Sequence, residues 1–180
     1  MALRPALPVM TLAALVLAAW TASAGWSAPA AKGKYQCSGK QKTVFDNTNG
    51  LEVDDGATPP TFSTHGKAYC VTYIQTYHWN SGNGAAPGTL GLRRVSVAAA
   101  LPRELGPFQA KGSSGQGGAA NVNWYADVPT TTPEIIDGIY ECQDSGESTW
   151  SSNKASAAPL GGNGFCIVYG VPARYVIAHS

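Results

Sequence analysis

Charge is scarce in this chain: twelve Lys and Arg against eleven Asp and Glu in 180 residues give a formal net charge of +1. No basic run is longer than Arg93-Arg94, so neither nucleic acid nor an anionic membrane is an expected partner, since both select basic patches. Beyond Ala19 no apolar stretch is long enough to span a bilayer. Sustained helical periodicity with a cap is also missing, which argues against bundles and doubly wound folds. There is no Gly-x-Ser-x-Gly elbow to mark a nucleophilic serine. The lack of an Asn-x-Ser/Thr sequon is consistent with a bacterial source.

What is present starts with Arg4, the apolar stretch Val9 to Ala19, and Ala22-Ser23-Ala24. A positive residue, a short apolar core and small residues at a cleavage site predict a signal peptide over 1–24. The expected product is secreted or periplasmic and carries no lipid anchor or membrane span. Losing Arg4 leaves eleven of the twelve basic residues against eleven acidic ones, a neutral mature chain. Four cysteines in an oxidising compartment predict two disulfides rather than a metal cluster. Two local pairs, Cys37 with Cys70 and Cys142 with Cys166, are the simplest of the three connectivities. No cofactor is expected.

Residues 25–34 are small, polar and basic and read as a frayed leader, so a single domain over 35–180 is expected. From Ala68 to Trp79 the sequence alternates, with Tyr69, Val71, Tyr73, Gln75, Tyr77 and Trp79 on one face. A turn-rich connection, Asn80 to Gly88, leads to an extended run over Thr89 to Leu101, and the two strands read as a long hairpin. Lys111 to Ala120 reads as an exposed loop, Asn121 to Val128 and Ile135 to Asp144 as strands, and Ser145 to Gly164 as a loop. Phe165 to Val171 and Arg174 to Ala178 read as two strands separated by Pro172. Six or more short strands divided by Gly, Pro and Asn clusters predict an all-β antiparallel sandwich or open barrel.

Three stretches combine aromatics with amides: Thr76-Tyr77-His78-Trp79-Asn80 through Gly84 and Pro87-Gly88-Thr89; Gly106-Pro107-Phe108-Gln109 with Asn121 and Trp124; and Asp144-Ser145 with Ser148-Thr149-Trp150-Ser151-Ser152-Asn153. With Gly164-Phe165, they resemble small secreted bacterial β domains of unassigned function that carry YHWNxGxGxxPGTxxL and DSxxxTWSxN words. The resemblance covers Tyr69 to Gly170, and it implies no catalytic residue. Gly146-Glu147 stands where the commoner form has Asp-Pro.

The chemistry of these stretches suits a polar-aromatic recognition surface. Sugar rings stack their C–H faces on Trp and Tyr, and their hydroxyls bond to Asn and Asp. The expected ligand-binding set is Trp79, Asn80, Asn83, Trp124, Asp144, Trp150 and Asn153, with Trp150 expected in a ligand-accessible groove. The competing structural reading makes Tyr77 and Trp79 core and gives the asparagines to their own turns.

Neither catalytic nor metal residues are assigned. Asp127, Asp137, Glu141, Asp144 and Glu147 are the carboxylates a hydrolase could use, and no motif pairs them. His65, His78 and His179 lie in dissimilar contexts, and His78 reads as a structural histidine bonded to a loop carbonyl. Asp54-Asp55-Gly56 has oxygen ligands without calcium-loop spacing and reads as a solvated turn. The function expected is a non-catalytic secreted binding module for a glycan or another polar extracellular ligand. The alternatives are a hydrolase using loop carboxylates and a protein-interaction factor such as an inhibitor or effector.

Overall fold

Residues 33–96, 101, 103–129 and 131–177 are described by the computed structural model, within one of the two compact units of the chain, Lys32–Ser180. The expected signal peptide, His179 and the Val97 to Ala99 part of one expected strand lie outside the described residues. The strands are β1 (Gly33–Cys37), β2 (Lys42–Asp46), β3 (Asp54–Asp55), β4 (Thr61–Ser63), β5 (Tyr69–Tyr77), β6 (Thr89–Arg94), β7 (Glu104–Gln109), β8 (Lys111–Ser113), β9 (Asn123–Asp127), β10 (Glu134–Ile136), β11 (Ile139–Asp144), β12 (Ser151–Ser152) and β13 (Cys166–Ile177). Among the described residues the helices are three-residue 3-10 turns. The fold is all-β and antiparallel.

A seven-stranded sheet runs β1-β13-β5-β9-β8, with β10 also on β5 and β2 also on β13; a four-stranded sheet runs β4-β11-β6-β7. The core is built from both. Ile74, Trp124, Ala126 and Val168 come from the large sheet, and Phe62, Leu90, Leu92, Leu105 and Tyr140 from the small one. Each large side chain removed from water here stabilises by roughly 1.5–3 kcal/mol. Both disulfides form as the local pairing predicts, Cys37–Cys70 and Cys142–Cys166. The first joins β1 to β5; the second ties β11 of the small sheet to β13 of the large one.

Several expectations are corrected. Thr89 to Leu101 does not return along β5 as a hairpin partner: β5 is flanked by β13, β9 and β10, while β6 pairs β11 and β7. Both edges of β5 are therefore occupied, so 80–88 is a crossover between sheets. The two closing strands are one, since β13 runs through Pro172. Beyond Pro172 the strand pairs β1, and Ala173 N–H donates to Ala68 O at 2.9 Å, so the missing proline donor falls where β13 changes neighbours. Lys111–Ser113 is an edge strand on β9 rather than loop, and Gly33 and Lys34 belong to β1 rather than to a frayed leader. The run Ile135 to Asp144 divides at Gly138, whose φ of +126° turns β10 into β11.

The alternation along β5 also breaks once. Tyr73 faces Tyr169 but Val71 faces Gly170, leaving Thr72 as the extra residue of a bulge. Val71 thereby joins the core, and from Tyr73 onward odd residues face outward. Gly170 permits the close approach, because a Cβ there would stand 2.8 Å from Cys70 O.

Candidate functional site

The histidine of β5's end sits in a closed polar cluster. His78 is fully buried; its Nε2 lies 2.9 Å from Asp144 Oδ2 and its Nδ1 2.9 Å from Thr149 Oγ1. Thr76 Oγ1–H donates to the same carboxylate oxygen at 2.5 Å, and Gly146 N–H donates to Asp144 Oδ1 at 2.6 Å. Nε2 faces only acceptor oxygens, a carboxylate and a hydroxyl whose proton is already given to that carboxylate, so it carries a hydrogen. Trp124 stacks on the imidazole with centroids 3.7 Å apart. The partners of His78 are thus a carboxylate and two hydroxyls, rather than the loop carbonyl expected. Hydroxyl, imidazole and carboxylate stand in the order of a nucleophilic relay, but the ring is sealed. Trp124 covers the imidazole and a Cβ on Gly146 would stand 3.2 Å from His78 Cε1, which leaves the half-buried Thr149 hydroxyl as the one member of the row near the surface.

Most of the expected ligand-binding residues are used inside the fold. Trp150 does not line a groove: it is fully buried, its Nε1–H donates to Phe165 O at 2.8 Å, and a Cβ on Gly164 would stand 2.6 Å from its ring. Its large apolar ring draws the 145–164 segment inward, and Gly164 admits it. Trp124 is buried as well, with Nε1–H donating to Ala85 O at 3.0 Å. Asp144 is enclosed with His78. Asn153 is buried and caps the turn 154–156, its side chain accepting from Ala155 N–H at 3.0 Å. Asn80 Nδ2–H donates to Gly84 O at 2.7 Å and Asn83 Nδ2–H to Asn80 O at 3.0 Å, so these amides hold their own turn. Trp79 leaves the strand in a helical conformation and stays half-buried.

The same contacts account for the sequence words. Ser151 Oγ accepts from Trp79 N–H at 2.7 Å and donates to Asp55 Oδ1 at 3.0 Å, and Ser145 Oγ accepts from Thr89 N–H at 2.8 Å. They bind the 78–89 crossover to the 144–153 segment. Asp55 stays exposed, as expected of a solvated segment, and joins this bond network from the short strand β3 rather than from a turn.

A separate cleft of about 250 Å³ opens on the outer face of the large sheet, beneath the loop 48–53. Gln75 and Tyr77 from β5, Asn123 from β9 and Ile167 from β13 line it, with Asn49 and Leu51 on the loop side. Among the described residues no charged side chain lines it. A directed relay crosses its floor: Tyr73 O–H donates to Gln75 Oε1 at 2.5 Å, Gln75 Nε2–H to Asn123 Oδ1 at 3.3 Å, and Asn123 Nδ2–H to Ser114 O at 3.0 Å. Each amide is thereby oriented and keeps a spare donor and a spare acceptor.

The loop side is held as firmly. Asn49 and Asn153 bond reciprocally at 3.1 and 2.7 Å, while Asn47 donates to Ser156 O and Gly164 O and accepts from Cys166 N–H. Burial pushes the Tyr77 hydroxyl pKa up, against a smaller lowering by the Gln116 backbone. Beside the cleft, Tyr169, Tyr73 and Tyr125 stack across three strands at 5.4 and 5.9 Å. Desolvation first, then Tyr169, Asp127 and Tyr125, pushes the Tyr73 hydroxyl up to about 12.

Gln75, Asn123, Leu51 and Ile167 were not among the residues sequence reasoning selected. The available signal was a period-two row of Tyr73, Gln75 and Tyr77 beside Asn123 and Tyr125, polar and aromatic on the face opposite Ile74 and Thr76. Set against protein-family models, curated proteins and solved structures, the chain shows no match to any.

Proposed function

We propose that the protein is an exported, non-catalytic binding module whose polar ligand enters the cleft over Gln75, Tyr77 and Asn123. The observation that carries this reading is the cleft itself: an aromatic ring and oriented amides with unused hydrogen-bonding capacity, set on a rigid sheet and rimmed by a fixed loop. Ligand pockets typically join apolar lining with a few placed polar groups in this way. Two disulfides support an extracellular or periplasmic setting, and no described helix is long and apolar enough to cross a membrane. The hydrolase reading draws less support. Asp144 is enclosed with His78 and Glu141 is held by Arg93 at 2.6 Å, while Asp127 pairs with Lys111 at 2.9 Å on the open surface, away from any enclosed second carboxylate.

The test is a glycan array and a polar metabolite panel run on the exported chain, with binding mapped by side-chain amide resonances. The reading expects a ligand that shifts the Gln75 and Asn123 amides and is lost in Tyr77→Ala. Binding that leaves these resonances unmoved, or hydrolysis of a panel member that survives Tyr77→Ala, would overturn it.

A further inference from the structure

The composition of the cleft narrows what it can hold. Among the described residues twelve line it, and apart from Gly50 their side chains are aliphatic, aromatic, hydroxyl or amide. A carboxylate or ammonium placed there would lose water without meeting an opposite charge, which disfavours it strongly. Spare donor and acceptor on the same amide match a hydroxyl, which also donates and accepts. Gln75 and Asn123, bonded to each other at 3.3 Å, place two such pairs side by side.

The aromatic lining sets a second limit. Tyr169, Tyr73 and Tyr125 are stacked on one another at interplanar angles of 20° and 23°, so the middle ring's faces are both covered. Within the cleft the aromatics are Tyr77 and Phe165, which meet edge-on at 78°, and Phe165 is buried. Tyr77 is then the ring available for stacking, with the exposed Leu51 on the facing loop. At about 250 Å³ the cleft is smaller than the roughly 300–1,000 Å³ of sites for larger ligands.

We propose that this cleft is a one-ring site for an uncharged pyranose, stacked on Tyr77 under Leu51, with adjacent hydroxyls bonded by the Gln75 and Asn123 amides. The proposal rests on the binding-module reading above and adds the class of ligand. An acyclic polyol offers the hydroxyls without a ring face, and a uronide offers the ring with a charge.

Amide-resolved NMR titrations with methyl glucoside, methyl galactoside and methyl N-acetylglucosaminide, against methyl glucuronide, sorbitol and an uncharged tetrapeptide, test it. The expected result is that at least one neutral glycoside shifts the Gln75 and Asn123 side-chain amides at concentrations about tenfold below those sorbitol or the glucuronide needs. Tyr77→Ala should weaken it by about tenfold or more, whereas Tyr77→Phe, which keeps the ring, should retain binding. If the glucuronide, the polyol or the peptide shifts these amides as readily as every neutral glycoside does, the one-ring proposal fails and the cleft remains a binding site. If neither these probes nor the wider panel moves them, the binding-module reading fails with it.

Discussion

His78 Nε2 stands 2.9 Å from Asp144 Oδ2 with both side chains fully enclosed, and the Trp124 ring lies 3.7 Å over the imidazole. A buried pair of this kind ties the residue that follows β5 of the seven-stranded sheet to the end of β11 of the four-stranded one, and its worth shows when one member is removed. Asp144→Ala leaves the imidazole facing an unfilled acceptor position and should cost about 3–5 kcal/mol. Thr149→Val removes one hydroxyl from a half-buried site and should cost nearer 1 kcal/mol. Urea unfolding measures both as a lowered midpoint at unchanged slope. A smaller loss in Asp144→Ala than in Thr149→Val would remove the pair from its central place.

Trp150 is a core residue, so Trp150→Ala should destabilise by about 3–5 kcal/mol. Gly164→Ala should also be costly, about 1–3 kcal/mol, because the added methyl would stand 2.6 Å from the indole. Thermal unfolding of the two variants checks this. A near-native melting temperature for Trp150→Ala would contradict the enclosed position.

Tyr73, the middle ring of the tyrosine row, makes stability fall at high pH. The unfolded Tyr73 hydroxyl ionises near 10 and the folded one at about 12. Between those values the folded chain holds more protons than the unfolded one, so stability declines as pH rises. Below the unfolded value the contribution is complete. Spectrophotometric titration should show a late tyrosinate component that vanishes in Tyr73→Phe. The variant should also lose part of the alkaline fall in unfolding free energy.

The disulfides should open in order. Cys37 is half-buried, whereas Cys142 and Cys166 have no exposed surface. Mild reductant followed by alkylation and peptide mapping should therefore label Cys37 and Cys70 first. Each closed loop, with separations of 33 and 24 residues, contributes about 3–4 kcal/mol in the chain-entropy description. Early labelling of Cys142 would show that the link between the sheets is the accessible one.

Alternation at period two was legible over Tyr73 to Tyr77 without any partner strand, because backbone pleating alone places successive side chains on opposite faces. The two cysteine pairs were legible for a similar reason, each being the shortest closure available. Strand partners were not, since pairing is decided by which edges remain free once the sheets stack. β5 takes β13 and β9 rather than the following β6. The aromatic-amide words were visible too, yet their role depended on depth. Trp150 and Asp144 carry ligand-binding chemistry in composition, and close packing against Gly164 and His78 turns them into core. Tyr77 and Gln75 look like ordinary strand residues, and it is the loop 48–53, brought over them by Asn49 and Asn153, that makes a cleft of that face. Local chemistry thus determined strand, turn and bridge; burial, a property of the whole packed chain, decided which polar groups are spent on structure and which keep unused hydrogen-bonding capacity at the surface.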